Sequence, residues 1–86
     1  MAKTMTIPAH VHHSKVGDEA VLLNMQDGIY FGLDAVGTRI WELIAGGHNE
    51  EEVCDTIVDE YDVDRETAAR DLSALLDELL RRGLLV

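Results

Sequence analysis

Residues 20–34 read AVLLNMQDGIYFGLD, and this stretch decides the fold. An apolar run from Ala20 to Met25 meets Gln26-Asp27-Gly28, and a second run follows from Ile29 to Gly32. Asp-Gly between two such runs predicts a β-hairpin, because both central positions of the favoured turn need positive φ. On the second arm Ile29, Phe31 and Leu33 share one face by the two-residue period of a strand, and Tyr30 points the other way. Upstream, Val16-Gly17-Asp18 predicts another turn, and the modest β character of Thr6 to Val11 suggests a further strand before it.

Downstream of the hairpin the period changes from two to that of a helix. Asp34 is placed to cap a helix from Ala35 to about Ala45, with Val36, Ile40, Leu43 and Ile44 as its apolar stripe and Gly46-Gly47 as its stop. Gly37 is locally unfavourable in that first turn and suggests close approach of another backbone. Asn49 and Glu52 form a capping box for a second helix, whose buried side is Val53, Cys54, Ile57, Val58 and Tyr61. Asp64 caps the third helix. There Ala68, Leu72, Leu75, Leu76, Leu79 and Leu80 repeat at helical spacing, until Arg81, Arg82 and Gly83 close the element. Leu84-Leu85-Val86 is apolar enough to fold back onto the core. Three N-terminal β-strands followed by three α-helices make an α+β domain of winged helix-turn-helix-like form. Eighty-six residues are enough for a single domain, 1–86, with residues 1–19 as its less regular strand region.

Charge narrows the choice of partner. Seventeen acidic residues against seven basic ones give a net charge of −10. Between Ile40 and Asp64 stand nine carboxylates and no lysine or arginine. Such a surface repels phosphate backbones and anionic lipid, so nucleic acid and membrane are poor partners. The single Cys54 excludes an internal disulfide and fits a reducing cytoplasm, and neither a secretory signal nor a run of transmembrane length is visible.

No catalytic set emerges. His10, His12 and His13 are the cluster nearest to a metal site. On a strand His10 and His12 share a face, but further ligands would have to come from distant residues such as His48 or Cys54. Cys54 falls among the apolar positions of its helix and reads as a small buried hydrophobe. No phosphate loop, zinc spacing or Ser-His-Asp set stands out, so the expectation is a non-enzyme without cofactor or metal. What remains is a sheet with two edges. An extended peptide can add to an edge as a further strand, and Ile29 to Gly32 is the candidate.

The ordered set Val21-Leu22-Leu23-Asn24, Gly28-Ile29-Tyr30-Phe31-Gly32-Leu33-Asp34, Gly37, Ile40-Trp41-Glu42-Leu43-Ile44 resembles the PqqD-like family. Val53, Ile57, Glu60-Tyr61-Asp62-Val63, Arg70-Asp71-Leu72, Leu79 and Gly83-Leu84-Leu85 continue the likeness, which spans about Ala20 to Val86. These domains are RiPP recognition elements, serving ribosomally made, post-translationally modified peptides. The resemblance implies a winged helix-turn-helix that binds the leader of a precursor peptide as an added strand on the third strand, against the third helix. It implies pairing by the backbone of Ile29, Tyr30, Phe31 and Gly32, with Leu75, Asp71, Ala74 and Glu78 as the far wall. The form is most similar to the stand-alone leader-binding proteins of lasso-peptide biosynthesis. There the partner is a leader peptidase of the transglutaminase-like cysteine-protease type.

Two alternatives stay open on the residues alone. A winged-helix DNA-binding protein needs a basic third helix, whereas Arg65, Arg70, Arg81 and Arg82 are outnumbered by Asp64, Glu66, Asp71, Asp77 and Glu78. A general acidic interaction domain would dock a basic partner through the second helix. Its carrier variant needs a serine at a helix start, and Ser73 lies mid-helix.

Overall fold

The strands alternate inward and outward residues, and that alternation builds the sheet in the computed structural model, which describes residues 5–86. β1 (Val11–Val16), β2 (Glu19–Asn24) and β3 (Ile29–Leu33) form one antiparallel sheet in the order β1-β2-β3. Ala20, Leu22 and Asn24 of β2 face inward and are buried. Their cross-strand partners on β3 are Leu33, Phe31 and Ile29. On β1 the first strand begins later than the sequence suggests. Pro8 lacks an N–H, and Ala9-His10 form a turn, so pairing starts at Val11 and the expected Thr6–Val11 strand is replaced by Val11–Val16. Gly17, at φ +64°, turns β1 into β2.

The second hairpin also departs from expectation. Its loop runs over the four residues between Asn24 and Ile29, and positive φ occurs at Gly28 alone, not at Asp27. Asp27 acts through its side chain instead, accepting the Ile29 N–H at 2.9 Å, while Gly28 N–H donates to the Asn24 carbonyl at 2.7 Å. Side-chain capping thus supplies what a two-residue turn would take from backbone geometry.

The helices follow as α1 (Ala35–Ala45), α2 (Glu50–Glu60) and α3 (Arg65–Arg81). Each begins at an acceptor side chain. Asp34 takes the Gly37 N–H at 2.8 Å, Asn49 takes Glu52 N–H at 2.8 Å within a reciprocal capping box, and Asp64 takes Thr67 N–H at 2.7 Å. Caps of this kind are each worth about 1 kcal/mol. That last bond, with the Thr67 backbone, is the main cause holding the Asp64 carboxyl below the usual carboxylate range. Between α1 and α2 the Arg39 guanidinium grips Glu60 through two 2.8 Å bonds.

Ile40, Trp41, Leu43 and Ile44 of α1 meet Val53, Cys54 and Ile57 of α2 and Ala68, Leu72, Leu76 and Leu79 of α3 in one core, which Leu22 and Leu33 join from the sheet. The Trp41 indole N–H has no partner among the described residues, and nothing in the structure accounts for it. Leu84 and Leu85 fold back and are buried as the apolar tail suggests, while Val86 stays 63% exposed. Val86 pairs by backbone with Thr6, each N–H donating to the other's carbonyl at 2.9 Å. Val36 and Leu80, apolar in pattern, lie 37% and 38% exposed at the margins of their stripes.

Leu72 is 2% exposed in the middle of the three-helix contact. Leu72→Ala should cost about 2–5 kcal/mol of unfolding free energy, measurable as a lowered urea midpoint. An unchanged midpoint would mean that α3 does not bury this face.

Candidate peptide-binding site

β3 is an edge strand, and the register says which of its backbone groups lack partners. Met25 N–H donates to the His10 carbonyl at 2.8 Å, so residues 25, 23, 21 and 19 aim their backbone groups at β1. Residues 24, 22 and 20 therefore aim theirs at β3, where they meet Ile29, Phe31 and Leu33. Tyr30 and Gly32 are left facing outward with one N–H and one C=O each. Of the four strand positions expected to pair with a peptide, these two present a ladder to it. Ile29 and Phe31 already use theirs inside the sheet or on Asp27.

Beside this edge lies an open groove of about 560 Å³, lined by Phe31, Gly32, Leu33, Asp34, Val36, Gly37, Ile40, Asp71 and Leu75. Its far wall is α3, through Asp71 and Leu75, and its floor is the first turn of α1. Gly32 has no atom within 4 Å of where a Cβ would stand, so an incoming backbone meets no side chain there. Leu75 is half-buried and Asp71 exposed. At the hairpin end a smaller recess of about 60 Å³ is lined by Asn24, Asp27, Ile29, Phe31, Arg82 and Leu84. There the Arg82 guanidinium sits 5.0 Å from the centre of the Phe31 ring.

Two contacts fix the ends of the groove. Asn24, 5% exposed, donates from Nδ2 to the Arg82 carbonyl at 3.1 Å and accepts the Gln26 N–H at 2.9 Å. It ties the hairpin to the end of α3. At the other end Gly37 fits against β3's exit: an added Cβ would stand 3.2 Å from Leu33 Cδ2 and from Asp34 Oδ1. The close approach expected at Gly37 is therefore to two side chains, not to another backbone.

Of the residues the resemblance singles out, Phe31, Gly32, Asp71 and Leu75 come together in the groove, and Ile29 lies in the adjoining recess. Tyr30 projects from the outer sheet face, 66% exposed, opposite Leu23. Ala74 is exposed and lines neither space. Glu78 is engaged with Arg81 at 2.6 Å and Arg82 at 3.3 Å. Val36, Gly37 and Arg82 also line the two spaces but were not named among the binding residues. The exposed apolar Val36 in a first turn was a signal available for the groove, and no periodicity points to Arg82.

The opposite edge, β1, differs in character. Its outward groups belong to Val11, His13 and Lys15, and Lys15 spans to Glu42 of α1 at 2.8 Å. Charged side chains on an edge discourage strand addition; β3 carries none. The histidines do not form the shared strand face expected of them. His10 lies in the turn before β1 with Nε2 3.3 Å from the Gly83 carbonyl, while His12 and His13 are exposed on opposite faces. No group of three or more His, Cys, Asp or Glu is placed to hold a metal among the described residues. Cys54 is free and buried, as its place in the apolar pattern suggests.

An open sheet edge without charged side chains, facing a helix wall of Leu75 and Asp71, has the geometry that accepts an extended chain. The chain belongs to the PqqD family: the family model described as Coenzyme PQQ synthesis protein D matches residues 19–85. It is a PqqD-like RiPP recognition element. A solved structure of TbiB1 in complex with the TbiA(beta) leader peptide is 49% identical, with a TM-score of 0.88 over 92% of each chain. A second, of lasso peptide synthetase B1 complexed with the leader peptide, is 25% identical, with a TM-score of 0.89 over 98% of this chain and 99% of that one. The curated proteins hold no match to the chain.

Gly37→Ala tests how tightly the floor is built. Alanine is the better helix former by about 1 kcal/mol, yet its methyl must displace Leu33, buried in the core, and Asp34 Oδ1, held by its cap. The variant should be less stable by about 1 kcal/mol or more, read from thermal unfolding. A gain in stability would show that Leu33 and Asp34 yield freely.

Proposed function

We propose that this chain binds the leader segment of a ribosomally made precursor peptide as a fourth strand on β3 and presents it to a separate enzyme of lasso-peptide biosynthesis. The observation that carries the proposal is the pairing of family and geometry. Two relatives solved with leader peptides share this fold, and β3 here has an unpaired backbone row beside the groove. An added strand would take the Tyr30 and Gly32 backbone groups and turn alternate side chains toward Phe31, Val36 and Leu75. Leu75, Asp71 and the β3 positions are the site on this reading, with Ile29, Ala74 and Glu78 at its margins. The chain supplies no catalytic group of its own. A leader peptidase of the transglutaminase-like cysteine-protease type would act on the presented peptide in the cytoplasm, and the domain, 1–86, would work as one winged helix-turn-helix-like unit.

The DNA-binding alternative is weakened by what the third helix does with its cations. Arg65 is paired with Asp55, and both Arg81 and Arg82 are held by Glu78. Arg70 and the part of Arg82 that Glu78 does not occupy remain for phosphates, with Glu66 and Asp71 exposed on the same helix. No helix among the described residues is long and apolar enough to cross a membrane.

Leu75→Glu puts a carboxylate where an apolar leader side chain would dock. Titrated with the TbiA(beta) leader peptide, it should bind roughly 30- to 1,000-fold more weakly than the parent, a loss of about 2–4 kcal/mol. Ser73→Glu, exposed on the same helix, should bind like the parent. Circular dichroism establishes that both variants are folded. Parental affinity in a folded Leu75→Glu protein would remove α3 from the site.

A further inference from the structure

The groove is electrically uneven along its length. At the hairpin end, Arg82 lies over Phe31 and lines the small recess. One of its terminal nitrogens meets Glu78, and its remaining side-chain N–H groups have no partner among the described residues. Asp27 is the carboxylate that shares the recess with it. At the other end, beyond Leu33, stand Asp34 and Asp71. Asp34 keeps one oxygen on the Gly37 N–H, and Asp71 is paired with no cation among the described residues. Phe31 lies against Arg82 while Leu33 and Asp34 share the groove with Asp71 and Leu75, so α3 runs antiparallel to β3 along this wall. Eleven helical steps from Asp71 to Arg82 cover about 16 Å. An extended chain beside them covers that span in roughly five residues.

We infer that Arg82 and Asp71 are specificity-determining residues that read the charge polarity of the bound strand. A carboxylate-bearing residue of the peptide lies against Arg82, and a lysine or arginine roughly five residues away lies against Asp71 and Asp34. The inference rests on the leader-binding reading and adds direction to it. Main-chain pairing alone tolerates either strand direction and several registers, since a ladder repeats every two residues. Two fixed charges of opposite sign select one of them, because the reversed strand would place like charges together. The apolar wall at Leu75 between the two ends contributes affinity without orientation.

The probe is a phage-displayed library of random peptides about twelve residues long, enough to span the groove, eluted by competition with the TbiA(beta) leader peptide. The parent protein should enrich peptides with one acidic and one basic residue about five positions apart, in one constant order. Arg82→Gln should lose the acidic preference alone, and Asp71→Asn the basic preference alone. For a peptide selected on the parent, each variant should bind about two- to fivefold more weakly at low salt, with the difference fading at high salt. Arg82→Glu should regain binding when the peptide's acidic residue is changed to lysine, which separates charge reading from damage to the Phe31 contact. Enrichment of extended apolar peptides with no charge preference would overturn the inference and leave leader binding standing. Failure to enrich any peptide that competes with the TbiA(beta) leader, when that leader itself binds, overturns it as well. If that leader does not bind the folded parent either, the strand-binding reading falls first.

Discussion

The half-made hydrogen-bond ladder of β3 is the constraint on which the rest of the molecule depends. β2 is satisfied on both sides, by β1 and by β3, and its buried residues fix which way every neighbour points. That register spends the backbone groups of Phe31 and Leu33 inside the sheet and leaves those of Tyr30 and Gly32 outside it. An edge of this kind invites uncontrolled pairing unless something limits access. Here the limit is geometric. α3 stands across a groove from β3, tied to the hairpin by the Asn24–Arg82 bond at one end, while at the other the Gly37 contact with Leu33 and Asp34 sets α1 against the exit of β3.

The same arrangement divides labour between backbone and side chains. Hydrogen bonds from an added strand to Tyr30 and Gly32 would be indifferent to sequence and would supply affinity to any strand that reaches them. On the proposed reading, discrimination would come from the walls: the apolar surface of Val36, Ile40 and Leu75, and the charges at the two ends. This suits a module whose ligand is a segment of a peptide that another protein processes, because recognition stays away from the part to be modified. The acidic face of α2, with Glu50, Glu51 and Glu52 in its first turn, lies outside this groove and acts there on the helix dipole and on solubility.

Much of this was legible in the residues. The helices were fixed by their caps, Asp34, Asn49 and Asp64, and by apolar spacing, and they lie where those signals place them. The hairpin was legible from Asp27-Gly28, although its loop is longer than a two-residue turn because Asp27 acts by side chain rather than by positive φ. The first strand was misplaced because β propensity along Thr6–Val11 does not register the turn that follows Pro8, and because β1 itself is mostly polar and exposed beyond Val11. In the site, period-two alternation brought Phe31 to the inner face and helical spacing brought Asp71 and Leu75 to one side of α3. Which edge of that helix faces the sheet is a tertiary fact, and so Ala74 was named although it lines neither space, and Arg82, which lines the recess, was not.

Amide hydrogen exchange on the folded protein, with and without the TbiA(beta) leader peptide, tests the central claim most directly. In the free protein the Phe31 and Leu33 amides should exchange slowly and the Tyr30 and Gly32 amides quickly, since the latter face the open edge. On addition of the leader, Tyr30 and Gly32 should become protected, while His13 and Lys15 on the edge of β1 stay unchanged. Binding that leaves Tyr30 and Gly32 fast, or that protects the β1 edge instead, would contradict strand addition at β3.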